Sequence, residues 1–211
     1  MCNEAARRFA LGTLEQGFAD LHIPLRFPDS RPNMAAIDSI RITDPSVIVR
    51  AARDDAAAAE LVQRRWSWPG GAHGKPVYNF RSEGRDFRNS DTAGRCLIPL
   101  DGFYEFTDPG TPKQGARARK DKWCFTLASG STGYGDGFFC VAGLWRTDAA
   151  VGEAWTMLTA EPGPDVAPYH HRQIVLLPQS AWADWIAGQV PAQDLIAPPP
   201  AGTLQVAPVS R

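Results

Sequence analysis

Apolar residues recur along residues 3–21 at Ala6, Phe9, Ala10, Leu14, Phe18 and Leu21, and this spacing predicts a helix somewhere in that span. Gly12 and Gly17 lie inside it and lower its helical propensity. Further on, the period changes. Short runs rich in β-branched and aromatic residues follow one another: SVIVRAA at 46–52, LVQRRWSW at 61–68, RCLIPLDGFYEF at 95–106, WCFTLA at 123–128, FFCVAGLW at 138–145, AWTMLTA at 154–160 and QIVLL at 173–177. Gly, Pro and Asp separate them, which predicts strands joined by turns, and LQV at 204–206 adds a last one. SAWADWIA at 180–187 predicts a short helix with Ser180 as its cap. Together the pattern predicts an α+β fold: one compact domain over residues 1–211, with curled antiparallel sheets or a barrel-like core and a few peripheral helices.

Composition narrows the class. The chain has 211 residues, 44% hydrophobic and 21% charged, enough to bury a core and close to soluble globular averages. It contains no run of 18 apolar residues, and Glu4 and Glu15 interrupt any signal-peptide pattern, so the expected location is the cytoplasm. Cys2, Cys96, Cys124 and Cys140 include no C-x-x-C pair and show no ligand spacing with the four histidines, so neither a metal nor a cofactor is expected. Net charge is −1, but residues 50–122 hold 14 basic and 10 acidic side chains, whereas residues 123–211 hold 3 and 7. The sequence TPKQGARARKDK at 111–122 concentrates this charge. Such a stretch is either a solvated loop or an arm that grips phosphate.

Several positions carry candidate chemistry. Removal of Met1 would leave Cys2 as a 1,2-aminothiol, with an amine and a thiol on adjacent carbons. An α-amine of pKa ~7.7–8.0 is partly neutral at pH 7 and attacks aldehydes to give a Schiff base, which the thiol can close into a five-membered thiazolidine. Glu105 lies between Tyr104 and Phe106, where an apolar setting would raise its pKa and suit it to general-acid work. An outward-facing strand residue is the alternative. His170 and His171 precede an apolar strand, and one of them is a candidate proton shuttle. Asn79 and Arg81 fall on one face of an extended VYNFRSE, where they serve either a phosphate-bearing ligand or an internal hydrogen-bond network.

These pieces occur together in the order of one family. RCLIPLDGFYEF at 95–106 resembles R-C-L/I-I/V-P-x-D-G-F/Y-Y-E-W of the SOS-response-associated peptidase (SRAP) family. NFRSE at 79–83 resembles its N-A-R-x-E, AGLW at 142–145 its A-G-L-W, HHR at 170–172 its H-x-R, and Arg65-Trp66 the start of its R-W-G. The resemblance spans essentially the whole chain. It implies covalent capture of abasic sites in single-stranded DNA, together with a lyase-like and autoproteolytic repertoire. It implies Cys2 as nucleophile, Asn79 as the amide that orients the opened sugar, Glu105 as the ring-opening acid and His170 as the proton shuttle. Arg81 would bind phosphate. The family start M-C-G-R is here Met-Cys-Asn-Glu, so Glu4 replaces an early phosphate-gripping arginine, and Arg7 and Arg8 are the nearest replacements. Arg172 and the base-stacking candidates Trp66 and Trp68 complete the expected DNA contacts. The partner so implied is single-stranded DNA with abasic sites, bound by a monomer and without a membrane. A thiol peptidase using Cys2 and His170, or a non-catalytic single-strand binder, are the other readings.

Overall fold

Five strands close on themselves. In this computed structural model, which describes residues 2–55, 57–70, 74–109 and 119–210, the strands Pro45–Ala51, Ala59–Trp66, Ala93–Leu100, Phe139–Asp148 and Gly152–Ala160 pair in a ring. Four pairings are antiparallel, and the closing one is parallel, with Ala154 opposite Arg65 and Trp155 opposite Trp66. Successive side chains leave opposite faces of a strand. One alternate set, including Ile48, Val62, Cys96, Ile98, Val141 and Met157, fills the interior. The other set, including Val47, Val49, Leu61, Leu97 and Leu158, packs under the helices Leu11–Asp20 and Trp182–Ala187 through Phe18, Trp182 and Trp185. Both faces are therefore covered, which explains why these strands read as nearly continuous apolar runs.

A second sheet lies over the interior set. Its order is Leu204–Pro208, Asp121–Leu127, Gly102–Thr107, Glu4–Arg7 and Ile37–Arg41, all antiparallel. Phe103 stacks on Phe125 at 4.8 Å and meets Phe139 of the barrel edge-on at 6.3 Å, so the two sheets share one core. The pattern predicts one strand over 95–106, but the chain divides it at Asp101, where it leaves the barrel and enters the second sheet. The Asp101 carboxylate holds the corner by accepting the Arg8 backbone N–H at 3.3 Å and Arg8 Nε at 3.1 Å.

The α+β expectation holds, with local differences. The predicted N-terminal helix is Leu11–Asp20, but residues 4–7 before it form a strand, so Arg7 and Arg8 sit on no helix. Ser180 makes no capping bond; a 3-10 turn at Gln179–Ala181 leads into Trp182–Ala187 instead. The run at 173–177 splits into Gln173–Ile174 and Leu176–Leu177, which serve different neighbours. Of the basic stretch at 111–122, residues 111–118 lie outside the described residues. Among the described residues, no helix is long and apolar enough to cross a membrane.

Candidate active site

The N-terminus is drawn into the core by its neighbours. Ala5 pairs with Phe103 and with Ile40, and the small side chains of Ala5 and Ala6 let the strand sit fully buried between two others. Cys2, just ahead of this strand, turns inward and is 1% exposed. Its thiol lies 3.3 Å from the Glu4 carbonyl oxygen, to which it donates. Burial, reinforced by the neighbouring Glu105 carboxylate, raises the thiol well above its ordinary pKa, so it is held as S–H.

Asn79 and Glu105 converge here, and His170 lies on a segment packed against the same sheet. Asn79 arrives on the short strand Asn79–Arg81, which runs parallel to Gly152–Ala160 with Asn79 opposite Met157. Its Nδ2 donates to the Cys2 carbonyl at 2.7 Å, whereas its buried Oδ1 has no hydrogen-bond partner among the described residues. Glu105 is 2% exposed, and burial pushes its carboxyl from 4.5 up to about 7, even though the Cys2 backbone N–H donates to it and favours the charged form. The nitrogen that would become the α-amine of a Met1-less chain therefore already faces this carboxyl. His170 enters behind Tyr169, whose ring lies 4.9 Å from Trp123, the cross-strand partner of Glu105. His170 Nδ1 sits 3.0 Å from both the N and the carbonyl O of Arg172, which fixes the ring by that edge. Burial above all, with the positive charges of His171 and Lys120 among the smaller causes, holds its pKa below the usual histidine value. An acid titrating near neutrality beside a nitrogen nucleophile can pass a proton in either direction.

The expected DNA contacts divide. Arg81 is exposed and shares the Asn79 face of its strand. Arg8 is partly exposed but committed to Asp101. Arg7 is buried, with Nη2 on the Ala35 carbonyl at 3.0 Å, which removes it from any DNA surface. Arg172 is also buried. Both of its terminal nitrogens contact the Glu83 carboxylate, and Nη2 donates to the Thr159 carbonyl at 2.6 Å, so it fastens the 170–174 segment to the barrel. Trp66 cannot stack a base, because it is fully buried, stacks on Trp155 at 5.3 Å and donates to the Tyr78 carbonyl. Trp68 is buried under the Arg146 guanidinium at 4.5 Å, at the edge of a cavity of about 480 Å³ shared with Phe80, Phe87 and Trp145.

Two features escaped the sequence pattern. Glu4, in place of the expected arginine, accepts from Ser39 Oγ at 2.6 Å and Lys122 Nζ at 2.7 Å, so an ion pair stands where a phosphate contact was expected. The aromatic wall of Trp123 and Tyr169 depends on the pairing of Glu105 with Trp123, and no motif in the sequence marks that register.

Fold and geometry together describe a barrel-and-sheet protein in which Asn79 and Glu105 meet a buried cysteine at the second position. The chain belongs to the SOS response associated peptidase (SRAP) family, whose model matches residues 1–211. No curated protein matches it. Three solved structures are similar in fold. A Bordetella bronchiseptica protein is 23% identical with a TM-score of 0.66, each chain covered completely. A phage-related protein from the same organism is 18% identical with a TM-score of 0.71, covering 100% of this chain and 95% of that one. A Bacteroides thetaiotaomicron protein is 13% identical with a TM-score of 0.69, covering 99% and 92%.

Proposed function

We propose that this chain is a covalent trap for abasic sites in single-stranded DNA, formed through Cys2 once Met1 is removed. One observation carries the reading: the Cys2 nitrogen faces the Glu105 carboxyl, whose pKa is about 7, beside an Asn79 Oδ1 that is buried without a partner among the described residues. In the proposed sequence, Glu105 gives its proton to the ring oxygen of the abasic deoxyribose. The C1′ hydroxyl loses its proton, and the aldehyde is exposed. The Cys2 amine adds to C1′ and water leaves, giving the imine. The thiol sulfur then adds to C1′, its proton passes to the nitrogen, and the thiazolidine closes with no net oxidation or reduction. Asn79 Oδ1 would accept from a sugar hydroxyl, His170 would relay protons, and Arg81 would meet a phosphate.

A thiol held as S–H favours this order over a thiol peptidase. Peptidase cysteines act as thiolates stabilised by positive neighbours, whereas burial and a carboxylate surround Cys2. The amine therefore acts first and the thiol second.

The test is a denaturing gel of the protein, its N-terminus checked by mass, mixed with a single strand carrying one abasic site. A heat-stable shifted band is expected, absent with Cys2→Ala and with retained Met1. No shift from a protein with a free Cys2 would overturn the proposal.

A further inference from the structure

We propose that Trp123, braced by Tyr169, is the specificity-determining surface of this site: it stacks on the nucleobase flanking the abasic nucleotide, in the place of the missing base. The inference rests on the abasic-site reading and extends it to the neighbouring nucleotide.

The register of the second sheet carries the argument. On its inner face the facing pairs run Phe103 with Phe125, Glu105 with Trp123, then Thr107 with Asp121. Directly opposed residues leave a sheet on the same side. Phe103 and Phe125 are fully buried, Trp123 and Thr107 are half-buried, and Asp121 is exposed. The Glu105–Trp123 row is therefore where the core ends and water begins. Trp123 is also fixed in place. Its Nε1 donates to Thr107 Oγ1 at 2.9 Å, which satisfies its only polar atom inside the protein. Tyr169 packs against it at 4.9 Å and against Phe125 at 5.3 Å. Tyr169, which precedes His170 in the chain, thus braces the indole that stands across the sheet from Glu105.

The chemistry of the substrate supplies the occupant. A nucleotide lacking its base leaves the flanking base with one bare face. A rigid indole at the rim, one residue across the sheet from the carboxyl that handles C1′, can cover that face. Stacking of this kind tolerates any base and is worth about tenfold or more in affinity.

The test separates stacking from crosslinking by using single strands with a central tetrahydrofuran residue, which has no aldehyde and forms no adduct. In one strand the flanking nucleotides carry adenine; in the other they are propyl spacers. Fluorescence anisotropy should give a binding preference of about tenfold for the adenine strand. Trp123→Ala should reduce that ratio to about one, and Trp123→Phe should retain most of it, with circular dichroism confirming the fold of each variant. If Trp123→Ala does not fold, Tyr169→Leu supplies the reading, with a reduced ratio expected. A ratio near one in the unaltered protein, or one that folded Trp123→Ala or Tyr169→Leu leaves unchanged, overturns the inference. The gel assay above fails or succeeds separately: the stacking ratio remains measurable in a protein that forms no adduct.

Discussion

A carboxyl held at about 7 inside a fold opposes folding whenever it is ionised, and Glu105 is such a group. Its folded pKa is raised above the unfolded 4.5, so between these values the folded chain binds more protons. The associated stability is full below pH 4.5 and is lost as pH rises through about 7. At about 1.4 kcal/mol per pH unit, the loss approaches about 3 kcal/mol by pH 8. Glu105→Gln removes the ionisation while keeping the shape. Thermal unfolding should therefore find the variant more stable than the parent at pH 8, with the advantage shrinking towards pH 5. Parallel melting-temperature profiles for the two proteins would show that the carboxyl pays no burial penalty. The same substitution should slow adduct formation by about 10²-fold or more, the usual cost of removing a general acid. Gained stability with lost activity would mark Glu105 as a site residue rather than a structural one.

Strands set the limits of every candidate-site contact: Cys2 and Glu105 are placed by the second sheet, and Asn79 by its pairing with the barrel strand Gly152–Ala160. Gly143 illustrates how tight that barrel is: a Cβ there would meet Ile98 Cδ1 at 2.5 Å, the Thr156 carbonyl at 2.9 Å and Cys96 Sγ at 3.0 Å. Gly143→Ala should cost about 1–3 kcal/mol by overpacking, measured as a lower urea midpoint, and an unchanged midpoint would show that the strands can part. The apolar runs at 46–52, 138–145 and 154–160 were legible because both faces of barrel strands are covered. Asn79 and Glu105 were legible as motif residues, and the structure brings both to Cys2. The strand Glu4–Arg7 was not, since EAAR has little β propensity and is extended only because Gly102–Thr107 and Ile37–Arg41 flank it. Trp66, Arg7 and Arg172 looked available for DNA because their types suit it. Burial, a fact of the third dimension, gave them to the core.

The molecule as a whole carries a net charge of −1, so its net charge supplies no attraction to nucleic acid. Among the described residues, few cations are candidates to face the site. Arg81 is exposed, Lys120 is exposed but lies 3.3 Å from Asp108, and Lys122 is bound to Glu4. Arg7 and Arg172 are buried and Arg8 is paired. Recognition should then come more from the aldehyde chemistry and from stacking than from phosphate charge. For single strands, the logarithm of the binding constant falls with the logarithm of salt by about 0.7 per neutralised phosphate. Two or three contacts predict a slope of magnitude about 2 or less for a strand carrying the tetrahydrofuran residue, and Arg81→Ala should lower it by about 0.7. Anisotropy titrations across a salt series measure both. A slope of about 4 or more, unchanged by Arg81→Ala, would contradict the charge-poor description and direct attention to the five basic residues at 111–122. A shallow slope that Arg81→Ala reduces further would make Arg81 the principal phosphate contact and leave selection of the lesion to Cys2 and its neighbours.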